Sequence, residues 1–427
     1  MKPAARSRRA VWSWALFDFA NSPFTTLVVT FVYAAYFTDV IVDDGNRGTV
    51  LWSRAIAITA IVVALLSPLL GALADRGGLR KLFVILFSIV CVVGTVALYF
   101  VEAGEILAAL VLVVIANIAF EFAIVFYNAF LPDLAPPERV GRVSGIAWGL
   151  GFFGGLLSLA VALVALVFPE QPWFGFATEN GENIRATNLL VAAWFVVFSV
   201  PFLIWVKEDK SRVSREGHVV RESIAQLRST IGHVRRYRQI VRFLIARLIY
   251  NDALVTIFAF GGIYAVAVFD FTIERVIAFG IVINLAAGIG AMLMGFLDDK
   301  AGGKNTIVVS LIGLIIATVL AMLAMYLVHE NMFWLAGILI GIFSGPNQSS
   351  SRSLMARFVP NELENEFFGF FALSGKLTAF AGPWMLGVLT DWSDSQVAGT
   401  SVVLVLFVIG LLLLLRVDER AGAAVRR

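Results

Sequence analysis

The sequence predicts an all-α membrane protein of twelve transmembrane helices arranged as two six-helix bundles. Three observations carry that expectation. Of 427 residues, 59% are hydrophobic and only 15% charged, with a mean hydropathy of +0.87, whereas soluble domains run at roughly 45–50% apolar and about 25% charged. Apolar runs recur twelve times along the chain, each near the ~20 residues a helix needs to cross a bilayer. Basic residues collect in alternate loops. This arithmetic excludes a soluble enzyme, a disordered chain and a coiled coil.

In chain order the expected spans are 13–38, 51–73, 82–101, 106–129, 143–168, 187–206, 243–268, 275–297, 305–327, 332–355, 366–389 and 398–416. The first is too long for a signal peptide, contains Asp18 and Asn21, and ends without a small-residue cleavage site, so it reads as a span. Of the 33 Lys and Arg residues, 27 fall in the termini and even-numbered loops, counting Arg352 at the end of span ten. Only Arg47, Arg185 and Arg275 fall in odd-numbered loops, and Arg54, Arg247 and Lys376 lie within spans. Positive charge stays on the cytoplasmic side, so both termini are expected there, in a multi-pass protein of the inner (plasma) membrane.

Loop 207–242 divides the chain into an N-terminal bundle (1–206) and a C-terminal bundle (243–427), and it holds ten Lys and Arg residues. Within it Val220, Ile224, Leu227, Ile231 and Val234 recur at steps of four and three, the pattern of an amphipathic helix lying along the cytoplasmic face. A calmodulin-like or nucleic-acid partner is one reading of so basic a helix. A linker between two bundles is the simpler one, and no nucleic-acid partner is expected.

Cys91 is the only cysteine, inside an apolar run, and His218, His233 and His329 fall in loops or at loop edges. No intramolecular disulfide, metal centre or cofactor site follows from these residues. No nucleophile–base pair and no GxxxxGK[ST] phosphate loop is visible, so neither an enzyme nor an ATP-driven pump is expected.

The two parts of the chain repeat. GALADRGGLRK (71–81) follows span two and GFLDDKAGGK (295–304) follows span eight. At an offset of 224, Gly71 matches Gly295, Asp75 matches Asp299, Arg76 matches Lys300, Gly78 matches Gly302 and Arg80 matches Lys304. At 228, Pro132, Gly141 and Gly154 match Pro360, Gly369 and Gly382; at 231, Thr25 and Tyr33 match Thr256 and Tyr264. Parallel repeats of six helices mark one large transporter architecture.

GALADRGGLRK resembles the cytoplasmic loop motif of the major facilitator superfamily, and the twelve-span plan fits it. FDFANSPFTTLVV (17–29), YNAFLPDLA (127–135), RFLIARLIYNDALVTI (242–257), QSSSRSLMARFVP (348–360), FFGFFALSGK (367–376) and Gly382-Pro383 resemble a narrower branch. It comprises bacterial permeases similar to the fungal autophagy-related vacuolar amino-acid effluxers. Ala253 stands where members often carry Gly, and Phe19 fits an aromatic position. The resemblance implies a secondary transporter whose spans one, four, seven and ten line a central cavity.

Asp75 and Asp299 lie just beyond helix ends in Gly-rich turns flanked by cations. A carboxylate there can meet the positive N-terminus of another helix. The resemblance places Asp75 near Phe367 to Gly369 and Asp299 near Gly141 to Ser144, as latches on the cytoplasmic side. The expected gating set is Asp75, Arg76, Arg80, Asp299, Lys300 and Lys304; an ordinary polar turn is the alternative. Gly145, Gly149, Gly151, Gly154 and Gly155 in span five, with Gly288, Gly290 and Gly295 in span eight, suit close helix contact. A barrier to proton leak is the lesser reading.

Charges inside spans are costly and call for an explanation. Asp18, Asn21 and Thr25 share one face of span one, and Asn117, Glu121 and Asn128 one face of span four. Span seven offers Arg247, Asn251, Asp252 and Thr256; span ten offers Ser344, Asn347, Gln348, Ser351 and Arg352. The expected cavity set is Asn21, Thr25, Asn117, Asp252, Thr256, Asn347, Gln348 and Arg352. Arg352 is read either as a fork for a substrate carboxylate or as a helix-end charge. Glu121, flanked by Phe120 and Phe122, sits in a desolvating setting that favours its neutral form. It is the first candidate for a proton-coupling site, with Asp252 and Asp18 behind it; a structural carboxylate paired with Arg352 or Arg247 is the alternative.

The expected function is secondary active export of a small polar solute, with an amino acid implied by the resemblance. The expected mechanism is alternating access in a monomer, driven by protons or another coupling ion. A lipid or lysophospholipid flippase and a non-transporting membrane sensor or assembly protein are the competitors.

Overall fold

Helices and their connecting turns make up the whole of residues 7–208, 219–233 and 235–426, the residues that the computed structural model describes. His218 and Val234 lie outside them. Among the described residues, ten helices are long and apolar enough to cross a membrane: span one (Arg8–Ile41), span two (Gly45–Gly77), span three (Arg80–Leu98), span four (Ile106–Leu134), span five (Val140–Val167), span six (Glu179–Trp205), span seven (Arg238–Phe269), span eight (Glu274–Ala301), span nine (Gly303–Leu327) and span twelve (Gln396–Leu415). The other two expected spans differ in kind. Span ten is one helix, Glu330–Phe358, whose second half, SGPNQSSSRS, is polar. Span eleven is broken into Glu364–Lys376 and Ala381–Ser393, separated by Leu377–Phe380. The linker helix is Val219–Gly232.

Local chemistry sets the boundaries. Asp44 caps span two by accepting from the Arg47 amide, and Gly78, at φ 58°, ends it in the left-handed conformation that favours glycine. Gly302, at φ 90°, ends span eight. Ser395 caps span twelve and His329 caps span ten through side-chain acceptors. Span one is not a uniform α-helix. After Pro23, which lacks an amide donor, the chain widens into π-helix at Phe24–Phe31 and again at Phe37–Ile41. Such widenings concentrate at functional positions, and no periodicity in the sequence announced them.

Packing is inverted relative to a soluble protein. Large apolar side chains such as Leu65, Val93, Leu107 and Leu293 are exposed on the outer surface, whereas Asp18, Asn21, Asn117, Asp252 and Arg352 are buried. A lipid-facing belt around a polar interior produces this distribution. Spans two and eleven pack together, as do spans five and eight, and these two seams join the residues before the linker to those after it.

Glycines set how closely the seams approach. A Cβ at Gly71 would collide with the backbone of Asn365 and Glu366, and one at Gly369 with that of Ser67 and Pro68. In the other seam, Gly145 lies against the Ala291 carbonyl and the Gly295 Cα, and Gly149 against Met292 and the Gly288 carbonyl. The expected close helix contact therefore falls between the two parts of the chain. Gly154 and Gly155 instead face Phe19 and Thr26 of span one.

Candidate functional site

The charged residues converge on one end of the bundle, the end carrying both termini and the basic loops, called the basic end below. Asp75 leaves the last turn of span two and meets the first turn of span eleven. Its carboxylate accepts from the Asn365 amide (3.0 Å), the Asn365 side chain (2.6 Å) and the Glu366 amide (2.9 Å). Free amides at a helix N-terminus are natural partners for an anion. Asp299 holds the corresponding place in the other seam, accepting from the Arg142 amide at 3.2 Å and pairing with the Arg142 guanidinium. Asp299 lies at, and Asp75 just before, the residues that the resemblance implied as their partners.

The cations follow a less regular pattern. Arg80 bonds the Ala129 carbonyl (2.6 Å), Asp133 (2.6 Å) and, across the seam, Glu364 (3.0 Å). Lys304, its match in the sequence, does something else: its ammonium donates to the Leu415 carbonyl. That is the role of Lys81, which donates to the Leu203 and Val206 carbonyls. Glu208 accepts from the Arg80 and Lys81 amides, and Glu419 from the Gly303 and Lys304 amides. The functional register of the repeat is thus one residue off at this position, and the correspondence of Arg80 with Lys304 is corrected to Lys81 with Lys304. The buried guanidinium of the second half comes from Arg357 on span ten, paired with Asp298 at 2.6 Å. Arg76 donates to Gln226 of the linker helix (2.6 Å), and Lys300 stays exposed.

Arg352 sits at the centre of the closed end. It pairs with Asp18 of span one (2.9 Å) and bonds Asn128 of span four (3.1 Å). It also donates to the side chain and carbonyl of Ser144 of span five, each at 2.9 Å. Trp14, Tyr127 and Trp148 surround its guanidinium. Each of its three nitrogens has a partner, so in this conformation the guanidinium is engaged across the seam. Asp18 is its counter-ion.

Toward the middle of the bundle the partner of Glu121 is Lys376, at 2.6 Å. Neither Arg352 nor Arg247 reaches it. Arg247 is bound to the Phe371 carbonyl (2.8 Å) and Ser374 (2.9 Å), with its guanidinium over the Phe371 ring. The Lys376 and Glu121 side chains keep 34% and 18% of their exposure, enough for water or a solute to reach the pair. Lys376 ends the first half of span eleven. Beside it Asn251 donates to the Gly375 carbonyl (3.0 Å), and Gln348 lies 3.4 Å from Asn251. Asp252 is buried one residue on, within reach of Thr378 in the break.

Other expected cavity residues are satisfied inside helices. Asn21 donates to the Phe17 carbonyl, Thr25 to that of Ser22 and Thr256 to that of Asp252. Asn117 is buried on span four. Asn347 is buried against Ser310 of span nine (3.0 Å), on the outer side of span ten, and leaves the cavity set. Sequence reasoning placed Lys376 within a span without a role and missed Asp133, Glu208, Asp298, Arg357, Glu364, Glu366 and Glu419. Tandem charges flanking the span ends, such as Asp298 beside Asp299 and the ELENE run (362–366), were the available signal.

Among the described residues, every hydrogen bond and ion pair joining the two parts of the chain lies between the basic end and Glu121–Lys376. Among the described residues, no such bond is seen at the other end.

The family model of Atg22-like vacuole effluxers matches residues 48–142 and 137–425. The chain belongs to that family. With it the chain belongs to the major facilitator superfamily of transporters. It is 27% identical over 416 residues to the uncharacterized MFS-type transporter YxiO of Bacillus subtilis, covering 97% of this chain and 96% of that one. It is 22% identical over 308 residues to autophagy-related protein 22 of Kluyveromyces lactis, covering 66% of this chain and 61% of the fungal protein. The fold is similar to that of the proton:xylose symporter XylE, with a TM-score of 0.73 at 14% identity over 95% of this chain and 94% of XylE.

Within the Atg22-like fold, Asp75→Asn should weaken closure of the basic end. It removes an anion from a helix N-terminus, a loss of about 1 kcal/mol. Thiol labelling of a reporter cysteine at Glu362, in a Cys91→Ala background, should speed up roughly fivefold. An unchanged rate would show that Asp75 is an ordinary turn residue.

Proposed function

We propose that this chain is a proton-coupled, alternating-access exporter of a small zwitterionic solute, an amino acid being the first class to test. The reading takes the chain as twelve spans in two six-helix bundles, 1–206 and 243–427, with both termini in the cytoplasm of an inner (plasma) membrane. The basic end then faces the cytoplasm, and the structure corresponds to an outward-open state.

The observation that carries this reading is the Glu121–Lys376 pair between span four and span eleven. It is the deepest cross-half charge contact described and it keeps partial access to solvent. When the halves rock apart at the basic end, span eleven leaves span four. Glu121 then loses its ammonium partner, and this carboxylate is the group taken here to carry the proton. Reclosure returns Lys376 to this carboxylate. A zwitterion suits the same pair: Lys376 meets its carboxylate, while Glu121 or Asp252 meets its ammonium.

Glu121→Gln tests the reading. It should abolish accumulation driven by a pH gradient in proteoliposomes while leaving solute exchange in place at a reduced rate. Full gradient-driven transport by this variant would make the pair structural and move the proton site, with Asp252 next.

A further inference from the structure

The linker helix docks the wrong way round for a helix whose apolar side simply covers the protein. Ser223, Gln226 and Thr230 face the bundle. Ser223 donates to the Ala72 carbonyl at the end of span two. Gln226 accepts from Arg76 and donates to Glu366 at 2.6 Å, and Thr230 is buried. A flank of the helix, roughly a third of a turn round from that face, carries Val220, Ile224 and Ile231, which are 62%, 51% and 60% exposed. The spacing 220, 224, 231 puts them on one stripe. Arg221 and Arg228 lie along its edge, and Arg235, Arg236 and Arg238 continue the charge past the helix end; all five are exposed. Glu222 is the one carboxylate on the helix.

We infer that this face docks on the anionic lipid surface of the membrane, with Val220, Ile224 and Ile231 in the acyl–headgroup boundary and the arginines on lipid phosphates. An apolar stripe edged by arginine is what an interfacial helix requires, and basic residues near an anionic leaflet are attracted to it. Charge complementarity selects this occupant, because five cations against one carboxylate fit a polyanionic surface. The polar face has a second consequence. Gln226 ties Arg76 of span two to Glu366 of span eleven, so a helix held by lipid also holds the shut seam.

The test uses the full chain with Cys91→Ala and Ile224→Cys, carrying an environment-sensitive fluorophore. It is reconstituted in vesicles of phosphatidylcholine alone or mixed with phosphatidylglycerol. Spin-labelled lipids with shallow quenchers should quench the probe severalfold more in the anionic vesicles, and Arg221→Gln with Arg228→Gln should remove that excess. If Ile224→Cys fails to reconstitute, Ile231→Cys serves on the same stripe. A probe that stays open to aqueous iodide and unquenched by lipid in both compositions would overturn the inference. So would quenching seen only when a second copy of the chain carries the quencher, which would make the face a self-interface.

Discussion

Replacing Arg352 with methionine should open the basic end and nearly eliminate the present conformation. The substitution leaves Asp18 buried beside Tyr127 without its counter-ion and strips Ser144 and Asn128 of a donor. Breaking a buried ion pair from one side costs about 3–5 kcal/mol. At 1.4 kcal/mol per tenfold, that shifts the equilibrium between shut and open basic ends by two orders of magnitude or more. Removing both charges together leaves no orphan, so Asp18→Asn with Arg352→Met should recover most of the shut population. Distances between spin labels on the basic ends of spans two and eleven read this directly. A single variant indistinguishable from the parent would show that the pair adds nothing to closure.

Gly145→Leu should be as severe through a different mechanism. The new side chain would meet the Ala291 carbonyl and the Gly295 Cα, and backbone cannot move aside as a side-chain tip can. The five–eight seam would be wedged, and transport should fall to background while the protein still inserts and folds. Gly387→Ala, at an exposed position with open space around it, should be silent. Normal transport by Gly145→Leu would mean that the seam does not close during the cycle.

The fold was legible because lipid imposes a coarse rule. Apolar length marks a span, and charge between spans marks a side, so most segments could be placed from composition. Span eleven shows the limit. Its apolar content runs on through Leu377–Phe380, where the helix nevertheless breaks, because Pro383 has no amide to bond the carbonyl four residues back. Span ten shows another: its polar half is tolerated since protein, not lipid, surrounds it.

Within the site, the repeat located Asp75 and Asp299 because glycine turns and charge leave a signature. Pairings were less accessible. Glu121 was matched to arginines by charge type, yet Lys376 reaches it, since contact across the seam depends on helix rotation rather than on depth. Arg352 and Asn347 lie on the same helix as Gln348, but only Gln348 turns to Asn251: Asn347 lies about 100° round the helix from it and Arg352 about one turn further along. The register slip between Arg80 and Lys304 has the same origin, as the two loops differ by one residue in how they enter the next helix.

Coupled movement of solute and protons tests the central proposal most directly. Purified protein in proteoliposomes, loaded with a pH-sensitive dye and a labelled pool of amino acids, should move protons when solute is offered and solute when a pH gradient is imposed. Both fluxes should disappear together in Glu121→Gln while solute counterflow persists. Solute movement with no proton flux in the parent protein, or movement of labelled lipid instead of any amino acid, would contradict it.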